Sequence, residues 1–390
     1  MKKKVLILCP WYAPYRTPLL RELAKEFDIT VLYTMPREVG REWPVPENLP
    51  FKTVFLKPVF LWKTDVRKMF GERLLIRYPA GLVRMLMKTR PDVIAALEFR
   101  LDCMIGCLWS LLRGCGYVTW SDMTPYHDMR LDPLRILSRK LLLSRSHALI
   151  GSCTDTLRHF AENFGYPREK AFLSILSAHA HELAASAGIP EKAAREDDGQ
   201  IRFLCVGELI PRKGVDLLIR AFARVHRNMP GALLTLVGKG VDKNALEKLA
   251  EDLGCGNSVI FRGSIPYEQV PAEMIQHDVF VLPTRLDVFG LVVAEAMSCG
   301  LPVICSLYAG AANDLVKDNG FIVDPEDTEG FASAMERLAR DPQLRTRMAE
   351  AGRILLKKNG LAPAAKGYAD ALHLAIRTAK KTSFFCGSCG

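Results

Sequence analysis

Asp287 and Glu295 stand eight residues apart in RLDVFGLVVAEAMSCGLPVI, residues 285–304. Acids at both ends of so apolar a segment are either solvated charges at element ends or groups that reach a polar ligand. The preceding VFVLPT has the composition of a strand, residues 284–289 read as a loop, and a helix starts near Gly290. Gly300 and Pro302 then supply a helix stop. This spacing puts Asp287 on a loop at a strand's carboxyl end and Glu295 about a turn and a half into the helix. Val292, Val293, Ala294, Ala296 and Met297 surround Glu295 in sequence, so its carboxylate needs a partner: a ligand hydroxyl, an Arg or a Lys.

Three more features have chemistry of the same kind. In VGELIPRKGVDLLIRAF, residues 206–222, a strand ends at Gly207, and Arg212 and Lys213 precede a helix that Gly214 opens. Two cations beside a helix N-terminus make an anion site, since backbone N–H groups and the positive dipole end converge there. A solvated basic turn is the plainer alternative. In LVGKGVD, Gly238 and Gly240 bracket Lys239, which permits close backbone approach and equally fits an ordinary strand-to-helix turn. In VIFRGSIPYEQVPAEM, Arg262 and Gly263 close a strand, where turn groups suit the edge of a base or form a plain turn. All four features fall at carboxyl ends of strands in the second half. Together they describe a pocket for phosphates and hydroxyls, which a nucleotide sugar fits.

The elements that hold these residues alternate along the chain. Strand runs KVLIL, ITVLYT, KTVFL, DVIAAL, YVTWS, ALIGS and AFLSIL in the first half are separated by helical stretches such as residues 17–25, 70–87, 102–112 and 133–144. Apolar strands alternating with helices predict doubly wound parallel sheets. The polar, aperiodic GIPEKAAREDDGQ, residues 188–200, marks a boundary, after which the alternation restarts. The expected organisation is a Rossmann-like domain over residues 1–188, a second over 200–361, and a terminal helix over 362–380 that packs back on the first. Ligands bind beyond the carboxyl ends of such strands, so two sheets facing a cleft can hold two substrates.

At this point the second half resembles the nucleotide-sugar half of a GT-B fold, retaining glycosyltransferase of family 4. The family pattern G-x-L-x-x-x-K-G, a GxG turn, V-x-F-x-G, and an acid spaced from the Glu of E-A-M-x-x-G-x-P-V-I matches Gly207 to Gly214, Gly238 to Gly240, Val259 to Gly263, and Asp287 to Ile304. The resemblance implies that Lys213, with Arg212, holds the donor diphosphate. It implies that Asp287 touches the donor sugar, Glu295 the ribose, and the backbone of Gly290 and Leu291 a phosphate. Arg262 would frame the base. The family's usual Arg after the first Gly is Glu208 here, and its first acid is the shorter Asp. PWYAPYRTP replaces the Gly-rich loop after the first strand, as in a subset of the family, where Arg16 would face the diphosphate or the acceptor. The place of a family His-Asp reads VTWSDMTPYHD, which makes Asp122 and His127 candidates for the acceptor side.

The implied reaction moves a sugar to an acceptor hydroxyl with retained configuration, the leaving phosphate taking the proton. No Asp-x-Asp motif is present, so the donor is expected to need no metal and no further cofactor. A glycan or lipid-linked acceptor is expected and nucleic acid is not.

Composition bounds the setting. The chain has 390 residues, 49% hydrophobic and 25% charged, with net charge +10, a profile of large globular cores. Eleven cysteines, an odd number and mostly within apolar runs, read as reduced thiols of a cytosolic protein. The terminal CGSC has redox or metal spacing without a second pair. The apolar run from Val5 to Cys9 is too short for a signal core, and no run reaches transmembrane length. Residues 57–90 hold nine Lys/Arg and two Asp/Glu among Phe, Leu, Trp, Tyr and Met. They read as a surface for anionic lipid on the inner face of the plasma membrane, or as a basic helix packed on its sheet. Three other readings remain: a nucleotide-sugar epimerase or hydrolase on the same fold, a dinucleotide oxidoreductase, which lacks G-x-G-x-x-G after the first strand, and a non-catalytic binding protein.

Overall fold

The computed structural model describes residues 1–35, 43–67, 73–128, 132–177, 180 and 199–379. The chain divides into two units: Met1–Ala178 with Leu361–Gly390, and His179–Gly360.

In the first unit the strands are β1 (Lys4–Cys9), β2 (Asp28–Tyr33), β3 (Lys52–Phe55), β4 (Lys57–Arg67), β5 (Arg73–Ala80), β6 (Val93–Leu97), β7 (Gly116–Ser121), β8 (Ala148–Gly151) and β9 (Ala171–Leu173). Seven form one sheet in the order β3-β2-β1-β6-β7-β8-β9, parallel throughout. The helices are α1 (Thr17–Ala24), α2 (Leu82–Thr89), α3 (Leu101–Arg113), α4 (Pro125–Asp128), α5 (Pro133–Arg145) and α6 (Thr154–Phe164). Central strands such as KVLILC are buried on both faces, and each fully buried Leu or Ile contributes roughly 1.5–3 kcal/mol. Helices cover both sides. Leu82 and Leu86 of α2, Cys103 and Cys107 of α3 and Leu142 of α5 pack into one apolar layer with Leu6, Leu8 and Ile94. Leu19, Leu20 and Leu23 of α1 pack into the other with Tyr368, Ala371 and Leu372 of the final helix, Leu361–Thr378.

That final helix lies close on the strands of this unit. A Cβ at Gly367 would stand 1.9 Å from the Leu173 carbonyl oxygen, so only glycine allows the approach. Tyr368 meets Trp120 edge to face at 5.2 Å.

One expectation is overturned here. Residues 70–87 read as a helix from their apolar spacing, yet β5 occupies 73–80 and the helix begins only at Leu82. β5 pairs antiparallel with β4 in a separate two-stranded sheet. RLLIRY carries the apolar and aromatic residues of a strand, Pro79 breaks helical hydrogen bonding, and Gly81 takes a left-handed φ of 87° that starts α2. The basic run 57–90 is therefore a strand pair followed by a short helix, and residues 68–72 lie outside the described residues.

The second unit has β10 (Arg202–Val206), β11 (Leu233–Val237), β12 (Val259–Gly263), β13 (Val279–Leu282), β14 (Val303–Ser306) and β15 (Gly320–Val323). They form a parallel sheet in the order β12-β11-β10-β13-β14-β15. Its core gathers Phe203, Phe222, Leu234 and Phe331. Nine cysteines among the described residues are buried, and burial raises the thiol pKa of several, for example to about 12 at Cys205. The CGSC segment lies outside the described residues.

Both sheets reverse their winding once, between β1 and β6 and between β10 and β13. A doubly wound sheet opens its ligand crevice at such a point, because the connections on either side run to opposite faces.

Candidate donor site

The loops after β10 and β13 border the second unit's reversal, and each is fixed by a glycine. The turn Pro211–Lys213 ends at Gly214, whose φ is 66°. A Cβ at Gly214 would fall 2.2 Å from the Pro283 carbonyl oxygen, so the turn is pressed against the end of β13. Thr284 Oγ1 and Arg285 N–H donate to the Arg212 carbonyl at 3.1 and 2.9 Å and tie the two loops together.

This geometry brings Lys213 onto Asp287. Lys213 Nζ donates to Asp287 Oδ2, and both side chains are largely buried. Asp287 is held by its backbone as well: its N–H donates to the Tyr308 carbonyl at 3.1 Å, and the Asp287 carbonyl accepts from Gly310 N–H at 3.2 Å. Arg212 turns its guanidinium to the Leu286 carbonyl at 2.9 Å and stands 3.9 Å from Glu208.

Glu295 is buried on the helix Leu291–Ser298 and accepts from the Tyr267 hydroxyl at 3.1 Å. Gly290 caps that helix with a φ of 85°; Val293 N–H donates back to the Gly290 carbonyl at 2.9 Å, and the N–H groups of Leu291 and Val292 come before it at the helix start. Gly207, Gly238 and Gly263 close adjacent strands: Gly207 N–H donates to Val237, and Gly238 N–H to Gly263. Gly238, at φ 149°, leaves no room for a Cβ, which would stand 1.8 Å from the Gly207 carbonyl oxygen. The packing of strand ends thus already demands glycine there. At Gly207 a Cβ would meet only the Lys213 stem at 3.9 Å, an ordinary contact. Arg262 is more than half exposed and pairs with Glu273 at 3.3 Å.

Two contributors were not legible beforehand. Arg285 grips Asp216 through both terminal nitrogens, at 2.7 and 2.8 Å, reaches Glu326 at 2.9 Å and donates to the Pro211 carbonyl at 2.9 Å. Burial works against ionisation of Asp216, but hydrogen bonds and charge from Arg285 hold its pKa below the ordinary value. Asp216 and Arg285 lie 69 residues apart, and no local spacing announces the pair. Tyr267 stands within the third motif, yet its contact to Glu295 needs the tertiary fold.

In the first unit the structure joins two residues the sequence offered separately. Arg16 follows β1 and donates through Nη2 to Asp122 Oδ2 at 2.5 Å, both groups buried. Its guanidinium lies 4.6 Å from the centre of the Trp120 ring. Glu98, just beyond β6, accepts from the Asp122 N–H at 2.8 Å and the Ser121 hydroxyl at 3.1 Å. It takes a φ of 68°, rare for a residue with a side chain. Burial first, and then the charge of Asp122, push its pKa up to about 7. Arg16 Nε and Asp122 Oδ1 are buried without a hydrogen-bond partner. His127 pairs through Nδ1 with Thr124 Oγ1 at 2.9 Å. An acid closing the strand beside β1 was the available signal for Glu98.

A family model described as glycosyl transferases group 1 matches residues 190–355, the span that carries this site. The lipopolysaccharide core biosynthesis glycosyltransferase LpsE of Rhizobium meliloti is 37% identical over 316 residues, 77% of this chain and 84% of that protein. The chain therefore belongs to the glycosyl transferases group 1 family. A GDP-mannose-dependent alpha-(1-6)-phosphatidylinositol monomannoside mannosyltransferase of Mycolicibacterium smegmatis is 37% identical over 158 residues. That match covers 38% of this chain and only 41% of the mannosyltransferase. The structure of Anabaena HepE in complex with UDP superposes with a TM-score of 0.69 at 17% identity, over 96% of this chain and 100% of that one, which shows the fold. Two parallel-sheet α/β units of this kind define the GT-B class.

Proposed function

We propose that this chain is a retaining glycosyltransferase of family 4 that moves a sugar from a nucleoside diphosphate to an acceptor hydroxyl of a glycolipid, lipopolysaccharide or polysaccharide precursor. The observation that carries the reading is the meeting of Lys213 and Asp287 at the β10/β13 reversal, with buried Glu295 on the adjoining helix. The names of the relatives, among them a GDP-mannose-dependent enzyme of a phosphatidylinositol glycolipid and a lipopolysaccharide core enzyme, support the same class of donor and acceptor.

The bond from the sugar's anomeric carbon to the diphosphate breaks, and a bond to the acceptor oxygen forms on the same face. The acceptor proton passes to the leaving diphosphate. Negative charge grows on that diphosphate, and a preorganised cation and helix-terminal N–H groups stabilise it. Lys213 takes this role by exchanging Asp287 for phosphate, with Arg212 and the backbone of Gly207, Gly290 and Leu291 beside it. The released Asp287 then accepts from sugar hydroxyls, Glu295 from the ribose, and Arg262 borders the base. Asp122, His127 and Arg16 shape the acceptor side. The reading needs neither a metal nor a further cofactor, so EDTA leaves turnover unchanged; dependence on added Mg²⁺ overturns that part. It places the enzyme at the cytoplasmic face of the membrane, where the basic run 57–90 favours anionic lipid.

Incubation with a panel of UDP-, GDP- and ADP-sugars, with and without glycolipid acceptor, tests the reading. Acceptor-dependent nucleotide release is expected. Release without acceptor supports a hydrolase instead, interconversion of the free nucleotide sugars an epimerase, and no binding to any sugar nucleotide refutes the donor site.

A further inference from the structure

The helices that cover one face of the first unit's sheet have two unlike sides. Their inner sides, through Leu82, Leu86, Cys103, Cys107 and Leu142, share one buried layer. Their outer sides carry large apolar residues in the open. On α5, Leu134, Leu137 and Leu141 are 75%, 63% and 58% exposed. Their spacing of three and four residues places them along one stripe, on the side away from buried Arg139, Leu142 and Leu143. On α3, Leu108, Leu111 and Leu112 are exposed, and the half-buried Leu101, Met104 and Ile105 continue the same stripe. Val83 and Met87 do the same on α2. Among the described residues outside these three helices, exposed large apolar residues such as Val241, Leu253 and Ile354 are far apart in sequence.

A solvent-facing helix ordinarily carries polar residues on its outer side. The only charged residues of α3 are Asp102, which is buried against Arg100, and Arg113 at its end. An apolar surface spanning adjacent helices marks an interaction site. Charge says what covers it. Arg84 and Lys88 on α2, Arg113 on α3, and Lys140 and Arg145 on α5 are exposed around the apolar stripes. The helical angle sets Lys140 and Arg145 on opposite flanks of the α5 leucines. No exposed acid lies on α2, α3 or α5, and Asp132 stands at the margin, capping α5 and paired with Arg135. A leucine surface ringed by cations matches a bilayer whose headgroups are anionic and whose interior is apolar.

We infer that the outer face of α2, α3 and α5 docks this protein on an anionic membrane, its leucines entering the interface and Arg84, Lys88, Arg113, Lys140 and Arg145 meeting the headgroups. Most of this surface lies outside residues 57–90, and only α2 belongs to both. The inference deepens the reading of a membrane-facing enzyme, yet it stands or falls without the donor site.

Flotation of the full chain with phosphatidylcholine vesicles, with and without phosphatidylglycerol, is the test, alongside a Leu137→Ser/Leu141→Ser variant and a Lys140→Glu/Arg145→Glu variant. The wild type is expected to float with phosphatidylglycerol vesicles. Leucine removal should weaken partitioning by tenfold or more, since each apolar carbon withdrawn from the interface costs about 0.8 kcal/mol. Charge reversal should abolish the preference for phosphatidylglycerol. Both pairs are exposed, so an unchanged melting temperature shows that the fold is intact. Wild-type protein that fails to float, or variants that float undiminished, overturn the inference. So does a wild-type dimer that the leucine variant converts to monomer, since the surface then joins two copies. Thermal shift with the preferred nucleotide sugar is read in parallel. Its loss with flotation intact strikes the donor reading alone, and flotation lost with the shift intact is the result expected of the leucine variant.

Discussion

The two sheets reverse at equivalent places, and each reversal holds a cation that follows the first strand and a carboxylate across from it. In the first unit the cation is Arg16, planar, laid on Trp120 and bound to Asp122, with Glu98 behind. In the second it is Lys213, a point charge on a flexible stem, bound to Asp287. The pairs have similar burial but different freedom. A guanidinium stacked on an aromatic face is held by its shape, whereas an ammonium rotates about four carbons to a new anion. One topology thus yields a locked polar cluster in one half and an exchangeable ion pair in the other.

The largest effect should separate the two at once. Arg16→Ala leaves Asp122 buried and uncompensated, and is expected to cost about 3–5 kcal/mol of stability. Denaturant titration measures it, and a loss below 1 kcal/mol would show that Arg16 is as replaceable as a surface ion. Lys213→Ala is expected to lower turnover by roughly 10²–10³ in protein that still folds. Near-wild-type turnover would remove Lys213 from the phosphate role.

Glu98 sharpens the contrast through pH. Its pKa is raised from 4.5 to about 7 in the fold, so between those values the native chain binds more protons than the unfolded one. Stability from this group therefore falls as pH rises through that window, by up to about 3 kcal/mol, and is level above it. Glu98→Gln should flatten the slope of stability against pH, and an unaltered slope would place the ionisation elsewhere. The smallest effect belongs to Arg285→Gln. Freed of its grip on Pro211 and Asp216, the turn that presents Lys213 loosens, and donor KM should rise about tenfold, near 1.4 kcal/mol, with kcat less affected. An unchanged KM would show that the turn is held by Gly214 alone.

Much of this was legible in particular residues. KVLILC and RFLCV announce strands buried on both sides, and the spacing from Asp287 to Glu295 put one acid on a loop and the other on a helix, where the structure has them. The Arg212-Lys213-Gly214 turn was readable because glycine is the residue that takes its left-handed φ most readily. What failed was local ambiguity: RLLIRYPA has helical spacing and strand composition, and pairing with β4 decides for the strand.

The sequence by itself determined the alternating α/β order, the places where strands end in polar loops, and the residue types able to meet phosphate and hydroxyl groups. Those follow from periodicity, turn chemistry and charge, all of them local. Tertiary structure alone decided the pairs: Lys213 with Asp287, Arg16 with Asp122, Arg285 with Asp216, Tyr267 with Glu295. Each joins segments distant in sequence, and their meeting depends on sheet order. It also decided which leucines face water, because α3 is apolar on every side and only its packing on the sheet chooses the side that is buried.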